Sequence, residues 1–208
     1  MPTTTFANLP TEKREKFLRA AREEFARVPF ADVSINRIIH AAEIPRGSFY
    51  MYFSDKADLF SFLLHEYGSR LADQLEAALI EHQGDLFAAV LSFFDTIRNV
   101  CKNEELDEEI RLFLSIFRLN GGPHSQLLRA ATESDPLFRR LIPHINQSLL
   151  ALKSEHDLKD MFSILLEITG PALMGCLKSP DPNAVRAQYL NVLNILKRGM
   201  APNALTHS

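Results

Sequence analysis

At 208 residues, with 46% hydrophobic and 24% charged side chains, the chain has room for one large or two small domains and the composition of an ordinary globular protein. A formal net charge of −3 excludes a strongly basic domain: the first 60 residues carry 9 Lys+Arg against 8 Asp+Glu, and the remainder 14 against 18. Any contact with nucleic acid must therefore rest on where individual charges are placed.

Pro10 suits the first turn of a helix, and Phe17, Leu18, Ala21, Phe25 and Val28 then recur at helical spacing, with Lys13, Arg14, Lys16, Arg19 and Arg22 on the other faces. Ser34 is a good N-cap for a second, short helix striped by Ile35, Ile38, Ile39 and Ala42. A third helix begins near Pro45 and runs to about Phe53. Two short helices joined by a tight turn and braced by a longer one make a helix-turn-helix arrangement. Ser54 or Asp55 caps a long fourth helix that ends around His82 and Gly84. Beyond it come helices over Asp85–Cys101, from an Asn103 cap to the stop "NGGP", over an interrupted segment from about Pro123 to Ser148, and over a final pair, Asp157–Leu177 and Asn183–Met200. No alternating stretch is long enough for a strand and no fixed-period repeat occurs, so the expected fold is all-α.

The stretch "EIPRGSFYMYFSDKADLF", residues 43–60, crowds four aromatics into five positions. On a helix starting near Pro45, Phe49 and Phe53 fall four residues apart on a face turned toward the first helix, with Ile44 extending it. Arg46 and Tyr50 form a second pair and Gly47 and Met51 a third, both rotated away from the core. Small Gly47 and Ser48 let the start of this helix approach another surface closely. Such a helix suits base edges in a major groove, while hydroxyls and cations beside it hold phosphates. Tyr50 and Tyr52 each offer an O–H, and Lys56 stands at the start of the fourth helix, where backbone N–H groups favour an anion. Ser34 and Arg37 reach the backbone from the other side.

Residues 10–63 resemble the N-terminal DNA-binding domain of TetR-family transcriptional regulators, in which a three-helix domain ends in a small-residue and aromatic run followed by Phe, a polar pair, Lys and a hydrophobic helix; here it stands as "RGSFYMYFSDKADLF". The resemblance implies that Arg46, Gly47, Ser48, Tyr50 and Met51 lie in or near the major groove, that Tyr52 and Lys56 contact phosphates with Ser34, Asn36 and Arg37, and that Phe49 and Phe53 are structural. One departure stands out: the turn before the third helix commonly carries Gly, and here carries Glu43. That residue must accept left-handed geometry or shift the turn, and an acid near DNA lowers affinity.

The same resemblance implies a DNA-binding domain over 1–55, and an effector-binding and dimerisation domain over 56–208. "MFSILLEITGPALMGCLK" is apolar nearly all round, so it is buried on several sides, with Gly170, Ala172 and Gly175 allowing close helix approach and Pro171 a kink. Dimer contacts are expected from Leu165, Leu173, Tyr189, Val192 and Leu196, and two subunits spaced about 34–36 Å apart read a palindromic operator in double-stranded DNA. With 15 Phe and no Trp, an apolar or aromatic effector is expected, contacted by Phe94, Phe113, Phe117 and Phe162, with Arg98 and Glu167 as polar anchors and Arg118 and His124 as further candidates.

Enzyme motifs are missing: there is no G-x-S-x-G, Gly-rich phosphate loop or H-E-x-x-H, and the histidines form no ligand spacing. An enzyme built from distant residues and a helical protein-interaction module remain the alternative classes; no cofactor or metal is implied. Cys101 and Cys176 are isolated, which points to reduced thiols. "MPTTTFANLP" has no basic, apolar leader, and the most apolar segment, broken by Glu167 and Pro171, falls short of the roughly 20 residues that span a bilayer. The expectation is a cytoplasmic regulator with no membrane partner.

Overall fold

The computed structural model describes residues 2–102, 108–120 and 134–202, and among these every regular element is helical. The helices are α1 (Thr4–Ala7), α2 (Thr11–Arg27), α3 (Ile35–Ala41), α4 (Arg46–Tyr52), α5 (Lys56–Glu81), α6 (Leu86–Lys102), α7 (Glu108–Asn120), α8 (Ser134–Leu141), α9 (Asp157–Lys178) and α10 (Pro182–Met200). They form two compact units: one holds everything up to Arg70 together with α7, the other Leu71 through α6 and everything from α8 onward. The first unit thus extends past the boundary expected at residue 55. Asn103 and His124 lie outside the described residues, as do the side chains of Cys101 and Phe117.

In the first unit the core is aromatic. Phe17 and Phe25 of α2, Phe49 and Phe53 at α4, and Phe60 of α5 are all fully enclosed, and Ile116 brings α7 into the same cluster. Phe17 stacks on Phe53 at 5.9 Å between centroids, and Phe25 lies 4.9 Å from Phe60. Ser34 Oγ accepts from Arg37 N–H as the cap of α3, and Asp55 Oδ1 accepts from Asp58 N–H in the first turn of α5. Asn120, at the end of α7, donates to Ile116 O at 2.8 Å and accepts from Phe30 N–H at 2.8 Å, fastening the 3₁₀ turn Phe30–Asp32 between α2 and α3.

The four-residue α1 was not foreseen. Thr3 caps it and also closes the end of α4: its N–H donates to Tyr52 O and its hydroxyl to Met51 O, two carbonyls that a helix terminus leaves without partners. Phe6 fills the space beneath, 4.9 Å from Phe53 and 5.8 Å from Phe17.

The second unit packs α6, α9 and α10 around Phe94, Ile97, Phe162, Leu165, Tyr189 and Leu193. Asp85 caps α6 by accepting from Phe87 and Ala88 N–H, and Asp181 caps α10 by accepting from Asn183 and Ala184 N–H. Gly84, at φ 82°, lies against Asn146, where a Cβ would meet backbone nitrogen at 2.5 Å. Gly175 gives the close approach expected of it: a Cβ there would sit 3.2 Å from Val185 of α10. Pro171 lies within an uninterrupted α9. In the segment expected to be interrupted, a helix starts at Ser134, and 3₁₀ turns over Ile142–His144 and Gln147–Leu149 follow.

Leu165 and Tyr189, expected at the dimer contact, are core residues of this unit, 0% and 3% exposed. Tyr189 stacks on Phe94 with centroids 4.2 Å apart and shares a 2.7 Å hydrogen bond with Thr169 Oγ1, which itself donates to Leu165 O. A helical stripe reads the same whether it faces its own core or a partner.

Burial pushes the Tyr189 hydroxyl up to about 12, opposed by the bond to Thr169 and reinforced by the charge of Asp95. An unfolded tyrosine ionises near pH 10. The stabilisation tied to this shift is therefore complete below pH 10 and is lost as the pH climbs toward 12. Denaturant midpoints measured from pH 9 to 12 should fall more steeply for the native chain than for Tyr189→Phe, and parallel curves would contradict the assignment.

Candidate nucleic-acid interface

α4 has two unlike faces. Phe49 is fully buried, and so is Phe53 just past the helix end, while Arg46, Gly47, Tyr50 and Met51 are exposed and Ser48 is half-buried. Tyr50 and Met51 expose 51% and 57% of their surfaces, large apolar groups for solvent to cover. A Cβ at Gly47 would meet nothing within 4 Å, so the protein's own packing does not require glycine there. Beside this face α3 exposes Asn36, Arg37 and His40, with Ser34 half-buried at its start.

The turn from α3 to α4 keeps its geometry without glycine. Glu43 takes φ 55°, the left-handed region, and its carboxylate lies 2.6 Å from Lys16 Nζ. The hydrogen bond and charge of Lys16 hold that carboxyl below the usual range. The acid that threatened DNA affinity is thus paired by a cation from α2.

Two residues expected on phosphates are placed otherwise. Tyr52 is buried at 9% exposure, edge-on to Phe17 and close to Phe6. Lys56 turns inward: its ammonium donates to Phe30 O at 2.9 Å and Ala31 O at 2.8 Å, lies 3.5 Å from Val33 O, and sits 4.9 Å over the Phe30 ring. Three donors facing three carbonyls leave this ammonium spent on the turn between α2 and α3.

Glu24 is the residue that sequence reasoning missed. It is 5% exposed, and Arg27 donates to it in a fork, Nε to Oε2 and Nη2 to Oε1, both at 2.8 Å. Ser34 N–H donates to Oε1 at 3.1 Å, and Arg37 Nε lies 3.3 Å from Oε2. The hydrogen bonds from Arg27 hold the carboxyl below its ordinary range against the opposing effect of burial, aided by Ser34 N–H and the charges of Arg27 and Arg37. The signal was present: position 24 lies on the helical stripe of Phe17, Ala21 and Val28, so an acid there is an acid pointed inward.

The expected effector residues are divided. Phe113 belongs to the first unit, 4.5 Å from the Tyr67 ring, whereas Phe94, Arg98, Phe162 and Glu167 belong to the second. Phe94 and Phe162 are fully enclosed by protein, and Glu167 is exposed on α9. Arg98 Nη1 donates to Asn183 Oδ1, while its Nε is buried 3.5 Å from Asp95 without a hydrogen-bond partner. Leu173, Val192 and Leu196 are half-buried, and Ile164 and Ile195 expose 41% and 50% of their surfaces on the same two helices. Among the described residues no helix is long and apolar enough to cross a membrane.

Residues 17–62 match the family described as "Bacterial regulatory proteins, tetR family". An uncharacterized HTH-type transcriptional regulator of Bacillus subtilis, YdgC, is 27% identical over 198 residues, 92% of this chain and 94% of that protein. A TetR family transcriptional regulator from Chloroflexus aurantiacus is 26% identical with a TM-score of 0.52, covering 97% of this chain and 99% of that one. SmeT of Stenotrophomonas maltophilia, in its triclosan complex, shares the fold at 17% identity and a TM-score of 0.62 over 93% of this chain and 94% of that one.

Replacing Lys56 by Met keeps the stem and removes the ammonium, leaving carbonyls of a partly buried turn without their donor. We expect a loss of about 1–3 kcal/mol in chemical denaturation, and an unchanged midpoint would refute the brace. At position 43, thermal melts should rank Glu43→Asn at or above the native chain and Glu43→Val clearly below it, because a β-branched residue resists left-handed geometry. A valine variant as stable as the native chain would mean the turn does not adopt this φ.

Proposed function

We propose that the chain is a transcriptional regulator of the TetR type, a repressor that holds a palindromic operator as a homodimer in the cytoplasm and releases it on binding a small, largely apolar or aromatic effector. The observation that carries the DNA-binding part is the two-faced α4: one side fixed by Phe49 and Phe53, the other offering Arg46, Gly47, Tyr50 and Met51 to an outside surface. These residues, with Ser48, enter the major groove, where Arg46 reads base edges and Met51 offers an apolar contact such as a thymine methyl accepts. Ser34, Asn36 and Arg37 hold phosphates. Tyr52 and Lys56 shape the domain from within.

In this reading residues 1–55 read DNA and 56–208 bind the effector and dimerise. Exposed Ile164 and Ile195, with half-buried Leu173, Val192 and Leu196 on the same two helices, supply the apolar groups that a second copy covers. The effector class rests on the phenylalanine content and on the triclosan complex of SmeT. Arg98, with a buried and unbonded Nε, is its polar anchor. Such a ligand releases DNA only to the extent that it binds the non-operator form more tightly.

Selection of bound sequences from a random duplex pool tests this, using protein refolded from denaturant to strip any retained small molecule. A palindrome bound by two subunits, and lost with Tyr50→Ala, is the expected result; no enrichment at low salt overturns the reading. On the selected site Arg46→Ala should relax preference at particular base pairs, and a uniform loss across sequences would remove Arg46 as a base reader.

A further inference from the structure

Burying a carboxylate in the stripe of α2 is costly, and an apolar side chain in the same place would serve the core as well or better. Glu24 therefore needs a reason beyond packing. Arg27, three residues on along the same helix, neutralises its charge through two 2.8 Å bonds, but the remaining contacts cross to α3. One holds the backbone of Ser34, the residue that caps Arg37 N–H. The other holds the Arg37 side chain at Nε. Arg37 is thus held at Nε by an ion pair with Glu24 and at its backbone by Ser34, itself bonded to the same carboxylate, while 62% of its side chain stays exposed and the two terminal nitrogens of its fork remain for a further acceptor. Beside it, Arg27, Asn36 and His40 line the same open hollow between α2 and α3.

We propose that Glu24 is a positioning residue for DNA binding: it presets the guanidinium of Arg37, so that its terminal nitrogens meet a backbone phosphate without first having to be ordered. This rests on the assignment of Arg37 to a phosphate made above. A long arginine side chain samples many rotamers, and each must be given up on binding unless the protein has already selected one. Nε is the donor best spared, since the two terminal nitrogens can reach two phosphate oxygens.

The sign of the effect separates this from plain electrostatics. Glu24 is a negative charge close to where a phosphate sits, so charge alone says that removing it strengthens binding. Positioning says that removing it weakens binding. Fluorescence anisotropy with the selected operator, on full-length Glu24→Gln, Arg37→Ala and the double variant, reads this directly. We expect about a tenfold loss for Glu24→Gln, a similar loss for Arg37→Ala, and a double variant no weaker than Arg37→Ala alone, because the two act as a unit. Glu24→Leu provides a second line: it restores an apolar stripe and should melt at or above the native temperature while binding DNA as weakly as Glu24→Gln.

Equal or tighter binding by the Gln and Leu variants would overturn the proposal, and so would losses that add to that of Arg37→Ala. The underlying reading fails in a different way. If the native chain selects no operator, DNA binding itself falls; if it selects one and Arg37→Ala binds it undiminished, Arg37 does not meet a phosphate and Glu24 has nothing to position.

Discussion

A helix of seven residues is too short to persist on its own, because nucleation costs more than so few hydrogen bonds return. α4 exists because Phe49 and Phe53 sink into the aromatic cluster around Phe17, and everything this helix presents to an outside surface depends on that burial. The same anchoring fixes rotation about the helix axis: with Phe49 inside, Arg46 and Tyr50 on one row and Gly47 and Met51 on the next cannot also be inside. α1 completes the arrangement by supplying Thr3 to the carbonyls at the end of α4 and Phe6 to the cluster below. A reading surface built this way is rigid because its back is core.

The connections around α4 carry the polar share of the same task. The turn between α2 and α3 is held from two directions, by Lys56 on its carbonyls and by Asn120 on the Phe30 N–H. The turn between α3 and α4 is bent by Glu43 in a conformation glycine would adopt more easily, and Lys16 occupies its carboxylate. Each element that bears an exposed candidate contact is therefore tied back to α2, α5 or α7 by a named side chain.

The helical order and the inward faces were legible because they follow from spacing: Phe17, Ala21 and Phe25, or Phe49 and Phe53, can be placed by counting. What counting could not supply was what a stripe faces. Leu165 and Tyr189 lie on apolar stripes and turned out to face their own unit's core, while Ile164 and Ile195 stayed outside. Nor does spacing reveal partners across distant sequence, so the grip of Asn120 on Phe30, 90 residues away, had no local signature. α1 escaped because four residues hold no period. Lys56 was misplaced for a chemical reason: an ammonium beside a DNA-facing helix suits a phosphate and a cluster of carbonyls equally, and only the fold puts Phe30 and Ala31 within reach.

An acidic chain that reads DNA has to solve a problem that a basic one does not, since the sequence-independent part of its affinity is small. Here two of the acids near the candidate interface are paired, Glu43 by Lys16 and Glu24 by Arg27 and Arg37, while Glu23 stays exposed at the same hollow. The pairing removes part of the repulsion without adding attraction. Among the described residues Arg46 has no acidic partner, and its neighbours on the exposed face of α4 are a phenol, a thioether and a glycine, none of them charged. Binding by such a surface draws little on counterion release and much on shape and base contact, which lowers affinity for arbitrary sequence more than for the correct one. In the proposed release by an effector that is the useful direction, because a complex held mainly by specific contacts is lost when a modest rearrangement moves α4 out of register.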